Sequence, residues 1–175
     1  MTESITVRRL GADEAAARVD ELADVLIDCV HGGASVSFMA PLAPAKARAF
    51  WRHVADGVAQ GERALLVAED ATGRIVGTVQ LLLALPENQP HRADIAKLLV
   101  HRGARRQGVA QRLMALVDAT AREEGRSVLV LDTVTGGDAE RLYPRLGWQR
   151  VGEVPHYALM PDGRPCSTTF FYKTL

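Results

Sequence analysis

The feature that constrains the fold most is a strand-to-helix junction in the middle of the chain. The stretch "ADIAKLLVH" is apolar and of strand length, and after a short basic turn "GVAQRLMALVDATARE" carries apolar residues at helical spacing. A buried strand that leads directly into an amphipathic helix is typical of α/β folds. The junction therefore predicts a sheet with a helix packed on its face.

The remaining hydrophobic pattern predicts the other elements of this α/β fold. Their order is β-α-α-β-β-β-α-β-α-β-β, with about seven strands in a mixed central sheet and about four helices. Asp13 is expected to cap a first helix that ends at Gly32 and Gly33, and "QRVGEV" is expected to be a strand followed by a loop over residues 155–165. The length fits one domain spanning residues 1–175 with a substantial core.

Charge balance and cysteine content limit the function classes. Lys+Arg and Asp+Glu both number 21, so the formal net charge is zero and a general nucleic-acid binder is disfavoured. No apolar run approaches the roughly 18 residues that span a membrane, and the first residues lack the apolar core of a signal peptide. Cys29 and Cys166 form no CxxC pair. We therefore expect a cytoplasmic protein with reduced thiols and with neither nucleic-acid nor membrane partners.

The basic turn at the junction has the features of an anion site. A Walker loop would need Gly-Lys-Ser/Thr and a dinucleotide loop would need GxGxxG, and the spacing of Gly103 and Gly108 provides neither. The first turn of a helix presents unpaired N–H groups and the positive end of the helix dipole, and the small residues Gly108 and Ala110 would let a diphosphate approach them. The residues alone leave a solvated basic helix start as the alternative.

Two motifs resemble the signatures of the GCN5-related N-acetyltransferase (GNAT) family. The acetyl-CoA signature, Leu-x-Val-x-x-x-x-Arg-x-x-Gly-x-Gly/Ala, is matched by Leu98, Val100, Arg105, Gly108 and Ala110. The second signature, Ala-x-x-Leu-Tyr-x-x-x-Gly-Phe, is matched by Ala139, Leu142, Tyr143, Gly147 and Trp148. The predicted element order is similar to that fold throughout. The resemblance implies an enzyme that transfers acetyl from acetyl-CoA to an amine in a ternary complex.

Further stretches narrow the resemblance to the tabtoxin-resistance branch of that family, which acts on small molecules. They include "VHGGASVSFMA", "LDTVTG", "PDGR" and "FYKTL". The acceptor implied is the amine of a small molecule, with amino-acid-like toxins and antibiotics among the candidates, and loops around 31–43 and 155–165 are expected to enclose its pocket. A protein or peptide N-acetyltransferase and a non-catalytic acyl-CoA-binding sensor remain as alternatives. The chain is expected to act as a monomer or a homodimer.

The resemblance also implies which residues bind acetyl-CoA. The strand residues Leu98, Leu99 and Val100 would bind the pantetheine arm, and one of their N–H groups would polarise the acetyl carbonyl. The pyrophosphate would lie against the turn and the helix start, formed by Arg105, Arg106, Gln107, Gly108, Val109 and Ala110. No metal is expected.

Three groups are candidates for proton transfer. The resemblance makes Tyr143 the acid that protonates the leaving thiolate, because a tyrosine with a reference pKa of about 10 is protonated at neutral pH. Asp132 and Asp94 match acidic residues that face the substrate in the tabtoxin-resistance branch, so each is a candidate base and a candidate substrate contact. The residue matching Asp94 is a glutamate there, and the shorter side chain favours a relay through water.

Three further positions complete the expectations for the acceptor side. His31, in the loop between the first two helices, is a candidate substrate-binding residue and an alternative candidate for the base. Many family members have an asparagine that contacts the cofactor at the position of Gly136. The tabtoxin-resistance branch lacks this asparagine as well. Pro144 follows Tyr143 directly, and we expect it to make the helix that carries Tyr143 short or kinked.

Overall fold

The computed structural model describes residues 4–175, which form one seven-stranded sheet and five α-helices. The strands are β1 Thr6–Leu10, β2 Arg63–Glu69, β3 Ile75–Leu82, β4 Arg92–Val100, β5 Val128–Val134, β6 Gln149–Leu159 and β7 Pro165–Thr174. The helices are α1 Ala12–Ala17, α2 Val19–His31, α3 Pro44–Ala59, α4 Val109–Glu123 and α5 Asp138–Arg145. The predicted α/β class, with a mixed sheet of about seven strands, is confirmed.

The sheet has the spatial order β1-β2-β3-β4-β5-β7-β6, and its one parallel pair in residues 4–175 lies at the centre. β4 and β5 pair from Arg92 opposite Val128 to Asp94 opposite Val130, and the pairing ends there. Beyond Asp94, β4 stays paired with β3, and β5 stays paired with β7. The two central strands therefore separate and leave an opening in the sheet, which we call the β4–β5 opening.

Helices cover both faces of the sheet, which is why the central strands read as continuous apolar runs. On β2, Leu65 and Val67 pack with α2 and α3 in one core cluster, whereas Ala64 and Leu66 pack in a second cluster with α4. Trp51 on α3 and Leu113 on α4 are fully buried, one in each cluster. No helix in the described part of the chain is long and apolar enough to cross a membrane.

The expectation of a single first helix capped by Asp13 was wrong. Two helices form there, and the first begins after Gly11 without a side-chain cap. Arg18 separates them, with φ −109° and ψ 21°, and its guanidinium binds Glu21, the nearly buried Glu69 and the Gly73 carbonyl. These contacts to distant parts of the chain hold the break in a segment whose local pattern is helical throughout.

The expectation that the strand starting at Gln149 ends near Val154 was also wrong. β6 continues to Leu159, because Ala158 pairs with Cys166 and Leu159 pairs with Pro165 after an irregularity in the register. Pro155 lies in that irregular stretch, and a proline there is read from sequence as the end of a strand. The β6–β7 turn is correspondingly shorter than the predicted loop and is closed by the Met160 N–H, which donates to the Arg164 carbonyl at 2.8 Å.

Candidate active site

The β4–β5 opening exposes the backbone of the strand segment 98–100. Leu98 and Val100 pack against the α4-side core and Leu99 against the α2–α3 core, so their side chains are directed to the two faces of the sheet. The N–H and C=O groups of a strand alternate between its two edges. The groups that face β3 are engaged in the sheet, and those on the other edge face the opening, where no strand within residues 4–175 pairs with them. A ligand in the opening can therefore bind to this backbone.

The start of α4 forms an open cradle of N–H groups. The first helical hydrogen bond is from the Arg112 N–H to the Gly108 carbonyl at 3.1 Å, so the N–H groups of residues 109–111 have no helical acceptor. In the part of the chain that the structure describes, no side chain caps this end. Arg106 and Gly108 have φ of 61° and 74°, and the space where a Cβ of Gly108 would lie is free of atoms within 4 Å. This arrangement suits a diphosphate, because the helix start is positively polarised, its N–H groups are free to donate hydrogen bonds, and a ligand can reach them.

The turn before α4 is fixed by the end of α2. Asp28 accepts hydrogen bonds from the Arg102 N–H at 2.8 Å and from the Arg102 guanidinium at 2.9 Å. His101 Nδ1 accepts the Gly103 N–H at 3.1 Å. The Arg105 guanidinium folds back and donates to the Val100 carbonyl at 3.3 Å, which Cys29 Sγ also approaches at 3.4 Å. The cradle and the β4–β5 opening are thus held together as one unit.

Tyr143 lies on α5 and is 4% exposed, in the core on the α4 side of the sheet. Its ring packs against Trp148 and Phe171, with centroid distances of 5.8 and 5.6 Å. Burial, with a smaller contribution from the charge of Asp132, raises the pKa of the Tyr143 phenol above its usual value. The phenol is therefore protonated at neutral pH. α5 has eight residues with Pro144 in its last turn, so the expected short helix is confirmed.

The two candidate carboxylates have different partners. Asp132 lies on β5 just past the last β4–β5 pair, and its Oδ2 accepts a hydrogen bond of 2.7 Å from the buried Thr168 hydroxyl. The rest of its carboxylate is exposed to solvent. Asp94 lies at the last β4–β5 pair and forms an ion pair with Arg92. The Asp94 carboxylate is therefore engaged by a guanidinium, whereas that of Asp132 is hydrogen-bonded to a neutral hydroxyl.

The expected acceptor loops contact each other. The Ala40 N–H donates to the Pro161 carbonyl at 3.0 Å, and Ser35 Oγ donates to the Leu159 carbonyl at 2.7 Å. A cavity of about 300 Å³ lies between the end of α2, the loop after it and the β6–β7 turn, and His31 is part of its lining. His31 Nε2 accepts the Leu42 N–H at 3.1 Å, so this side chain holds the loop in place. Tyr143, Asp94 and Asp132 are not part of this cavity, and the two aspartates lie at the end of the β4–β5 pairing instead.

Comparison with known proteins identifies the family. Residues 34–148 match the model of the acetyltransferase (GNAT) family, and this range contains both signature motifs, the cradle and the β4–β5 opening. The chain belongs to the GNAT family. It is accordingly an acyltransferase, and the GNAT fold uses acetyl-CoA.

Solved GNAT structures share this fold over almost the whole chain. The GCN5-related N-acetyltransferase from Kribbella flavida has a TM-score of 0.79 and 22% identity, covering 98% of each chain. The ribosomal-protein-alanine N-acetyltransferase from Brucella melitensis has a TM-score of 0.78 and 22% identity, covering 97% of this chain and 99% of its own. The yncA protein from Salmonella typhimurium, solved with its cofactor acetyl-CoA, has a TM-score of 0.78 and 18% identity, covering 98% and 94%. At these identities the likeness establishes the fold alone.

The structure adds candidate site residues that the GNAT motifs do not indicate. Thr168 positions Asp132, and Arg92 pairs with Asp94, although neither belongs to a signature. Lys97 lies on β4 next to the opening, and the charge of Asp132 acts on it as it does on Tyr143. The sequence signal for Lys97 is a charged residue inside the otherwise apolar stretch "IAKLLV". Residues 4–175 contain no group of three or more His, Cys, Asp and Glu side chains that could hold a metal ion.

Proposed function

We propose that this GNAT protein transfers acetyl from acetyl-CoA directly to the amine of a small molecule, with both substrates bound together. The observation that carries the proposal is the arrangement around the β4–β5 opening. Tyr143 belongs to the core on the α4 side of the sheet. Leu131 faces that side as well, so the next residue, Asp132, is directed to the opposite face. An acid and a base on opposite faces of one opening suit a reaction in which the amine enters from one side and the thiol leaves on the other.

The residues at the opening and the cradle fit acetyl-CoA as the acyl donor. The backbone of residues 98–100 would bind the pantetheine arm, and an N–H group of this strand would hydrogen-bond to the acetyl oxygen. The exposed residues Arg105, Arg106, Gln107 and Gly108, with the N–H groups of Val109 and Ala110, would bind the pyrophosphate. Acetyl-CoA supplies an acetyl group activated as a thioester.

Different side chains at the opening carry out the two proton transfers of the reaction. Tyr143 donates a proton to the departing sulfur, which its raised pKa permits because the phenol is fully protonated at neutral pH. Asp132 accepts a proton from the acceptor ammonium, directly or through water, while Thr168 holds its orientation. Asp94, paired with Arg92, contributes negative charge near the acceptor amine.

Direct transfer is favoured over a covalent acyl-cysteine route. Cys29 is the thiol nearest to the end of β4, and its Sγ donates to the Val100 carbonyl. Burial raises the pKa of the Cys29 thiol above its ordinary value, so it remains protonated and a poor nucleophile. Cys166 lies on β7 with its Sγ directed to Ser35 Oγ at 3.8 Å.

A small acceptor is favoured over a peptide because the acceptor loops are bonded to each other. The Ala40–Pro161 and Ser35–Leu159 hydrogen bonds join the loop after α2 to the β6–β7 hairpin. A peptide substrate needs an open groove that accommodates backbone on both sides of the reacting amine.

We expect release of free CoA from acetyl-CoA when small amines are supplied. The assay measures thiol release over a panel of small amines, including amino acids, and a matched panel of short peptides with free N-termini or lysine. Faster turnover of peptides than of every small amine would favour the peptide N-acetyltransferase. Tight binding of acetyl-CoA in calorimetry without thiol release from either panel would favour the non-catalytic sensor.

We expect Gly108→Val to weaken acetyl-CoA binding by roughly tenfold or more, because a β-branched residue disfavours the left-handed φ of 74° and its side chain would occupy the open cradle. The dissociation constant is measured by calorimetry. Gly73→Val is the matched control, since Gly73 has φ 83° and open space around it but lies in the β2–β3 turn. Equal affinities of the two variants and the unmodified protein would rule out the cradle as the pyrophosphate site.

A further inference from the structure

A β-bulge on β4 brings the side chain of Lys97 to the acceptor side of the sheet. Thr78 pairs with Leu99 and Gln80 pairs with Ala96, so a single β3 residue lies opposite both Lys97 and Leu98. Lys97 takes a left-handed φ of 53° to accommodate the extra residue. Bulges of this kind are often found beside active sites, where they redirect a side chain.

The ammonium of Lys97 has few partners within the protein. Its Nζ donates to Ser37 Oγ at 2.9 Å and lies 5.9 Å from the ring centroid of Phe50 on α3. Among residues 4–175, no carboxylate oxygen lies within 4.0 Å of it, whereas Lys173 is paired with Asp118 at 2.5 Å. An ammonium has three N–H donors, and Lys97 uses one of them on a neutral hydroxyl.

The surroundings of Lys97 make an incoming anion favourable. The side chain is half-buried, and burial lowers the pKa of Lys97, opposed by the negative charge of Asp132. A cation that has lost part of its hydration and has no paired carboxylate gains more from an anionic ligand than an exposed lysine does. Lys46, which lies against the neighbouring Phe38 ring at 5.9 Å, is exposed and provides that comparison within the same protein.

Lys97 and Asp132 stand on either side of the β4–β5 opening with opposite charges. Both follow the last β4–β5 pair, Lys97 on β4 and Asp132 on β5. Both are directed to the face of the sheet that α2, α3 and the loop after α2 cover, as the contacts of Lys97 with Phe50 and Ser37 indicate. An acceptor that enters from this face meets a carboxylate on one side and an ammonium on the other.

We propose that Lys97 and Ser37 form a subsite for an anionic group of the acceptor, so that the acceptor is a zwitterion with an amine near Asp132 and a carboxylate or phosphonate near Lys97. This proposal rests on the proposed acetyl transfer to a small amine and narrows its substrate class to amino acids and their phosphonate analogues. Lys97 binds the anion as a charged group and takes no part in proton transfer.

The test compares the common L-amino acids with the α-carboxamide of each, measuring kcat/KM by CoA release. In the unmodified protein we expect a preference of roughly 10- to 100-fold for the acid in at least one pair, which corresponds to one charge-assisted hydrogen bond. Lys97→Met should abolish this preference by raising KM for the acid, so that the acid-to-amide ratio of kcat/KM falls close to one. Lys97→Arg should retain most of the preference, because the positive charge is kept.

Two controls keep the subsite and the acetyl transfer separately testable. Lys46→Met should leave the acid-to-amide ratio unchanged. Should no amine be acetylated, the proposed transfer fails, and the subsite is then measured by calorimetry of the same acids and amides on CoA-loaded protein, where tighter binding of acids that depends on Lys97 supports it. Equal treatment of acids and amides by the unmodified protein, or a preference that survives Lys97→Met, would overturn the subsite.

Discussion

Tyr143→Phe is expected to lower kcat by about 100-fold while the affinity for acetyl-CoA stays within a factor of two or three. The variant removes only the phenolic oxygen, and the ring keeps its packing against Trp148 and Phe171. Without the phenol, the departing thiolate has no acid at the α4 side of the opening and must be protonated by water. Steady-state CoA release gives kcat, and calorimetry with acetyl-CoA gives the affinity.

The control for this prediction is Tyr157→Phe. Tyr157 lies on β6 with about half of its surface exposed and its ring edge-on to Phe170. We expect its kcat to match that of the unmodified protein. Equal turnover of the Tyr143→Phe and Tyr157→Phe variants would show that Tyr143 is a core residue of α5 and that the proton comes from elsewhere.

The elements that sequence predicts well are those whose own pattern decides their structure. β2 and β5 read as apolar runs because both faces of each are covered, and α4 reads as a helix because its buried residues recur on one face. The break at Arg18 and the length of β6 depend on other parts of the chain. The backbone at Arg18 is not helical, and its side chain binds Glu69 of β2 and the Gly73 carbonyl of the β2–β3 turn. β6 extends past Pro155 because β7 pairs with it.

The candidate site shows the same division. The cradle can be predicted from the local sequence. Its left-handed position and its open helix start both need small residues such as Gly108 within one short stretch. The pairing of Asp94 with Arg92 and the contact of His31 with Leu42 are decided by rotamers and loop conformations, which a motif does not specify. Lys97 reaches the opening only because β3 and β4 pair with a bulge, a property of two strands together.

Asp132→Asn is expected to lower kcat/KM for the acceptor by about 100-fold at neutral pH, because an amide cannot accept the proton that the acceptor ammonium must lose. Asparagine keeps the size of the side chain and can still accept the hydrogen bond from the Thr168 hydroxyl. The measurement is a pH–rate profile of kcat/KM under saturating acetyl-CoA. Asp94→Asn serves as the comparison, and we expect a smaller loss because its carboxylate is paired with Arg92.

The division of the loss between kcat and KM, followed across pH, separates a base from a binding group. The fraction of free amine rises as the pH approaches the acceptor's own pKa, which lies above neutral pH for aliphatic amines. A base is needed less as that fraction grows, so the deficit of Asp132→Asn should shrink with increasing pH. A carboxylate that only attracts the ammonium would also matter less above that pKa, but its loss would raise KM for the acceptor and leave kcat at saturating acceptor unchanged. A deficit confined to KM would therefore contradict proton transfer to Asp132 and leave it as an orienting contact.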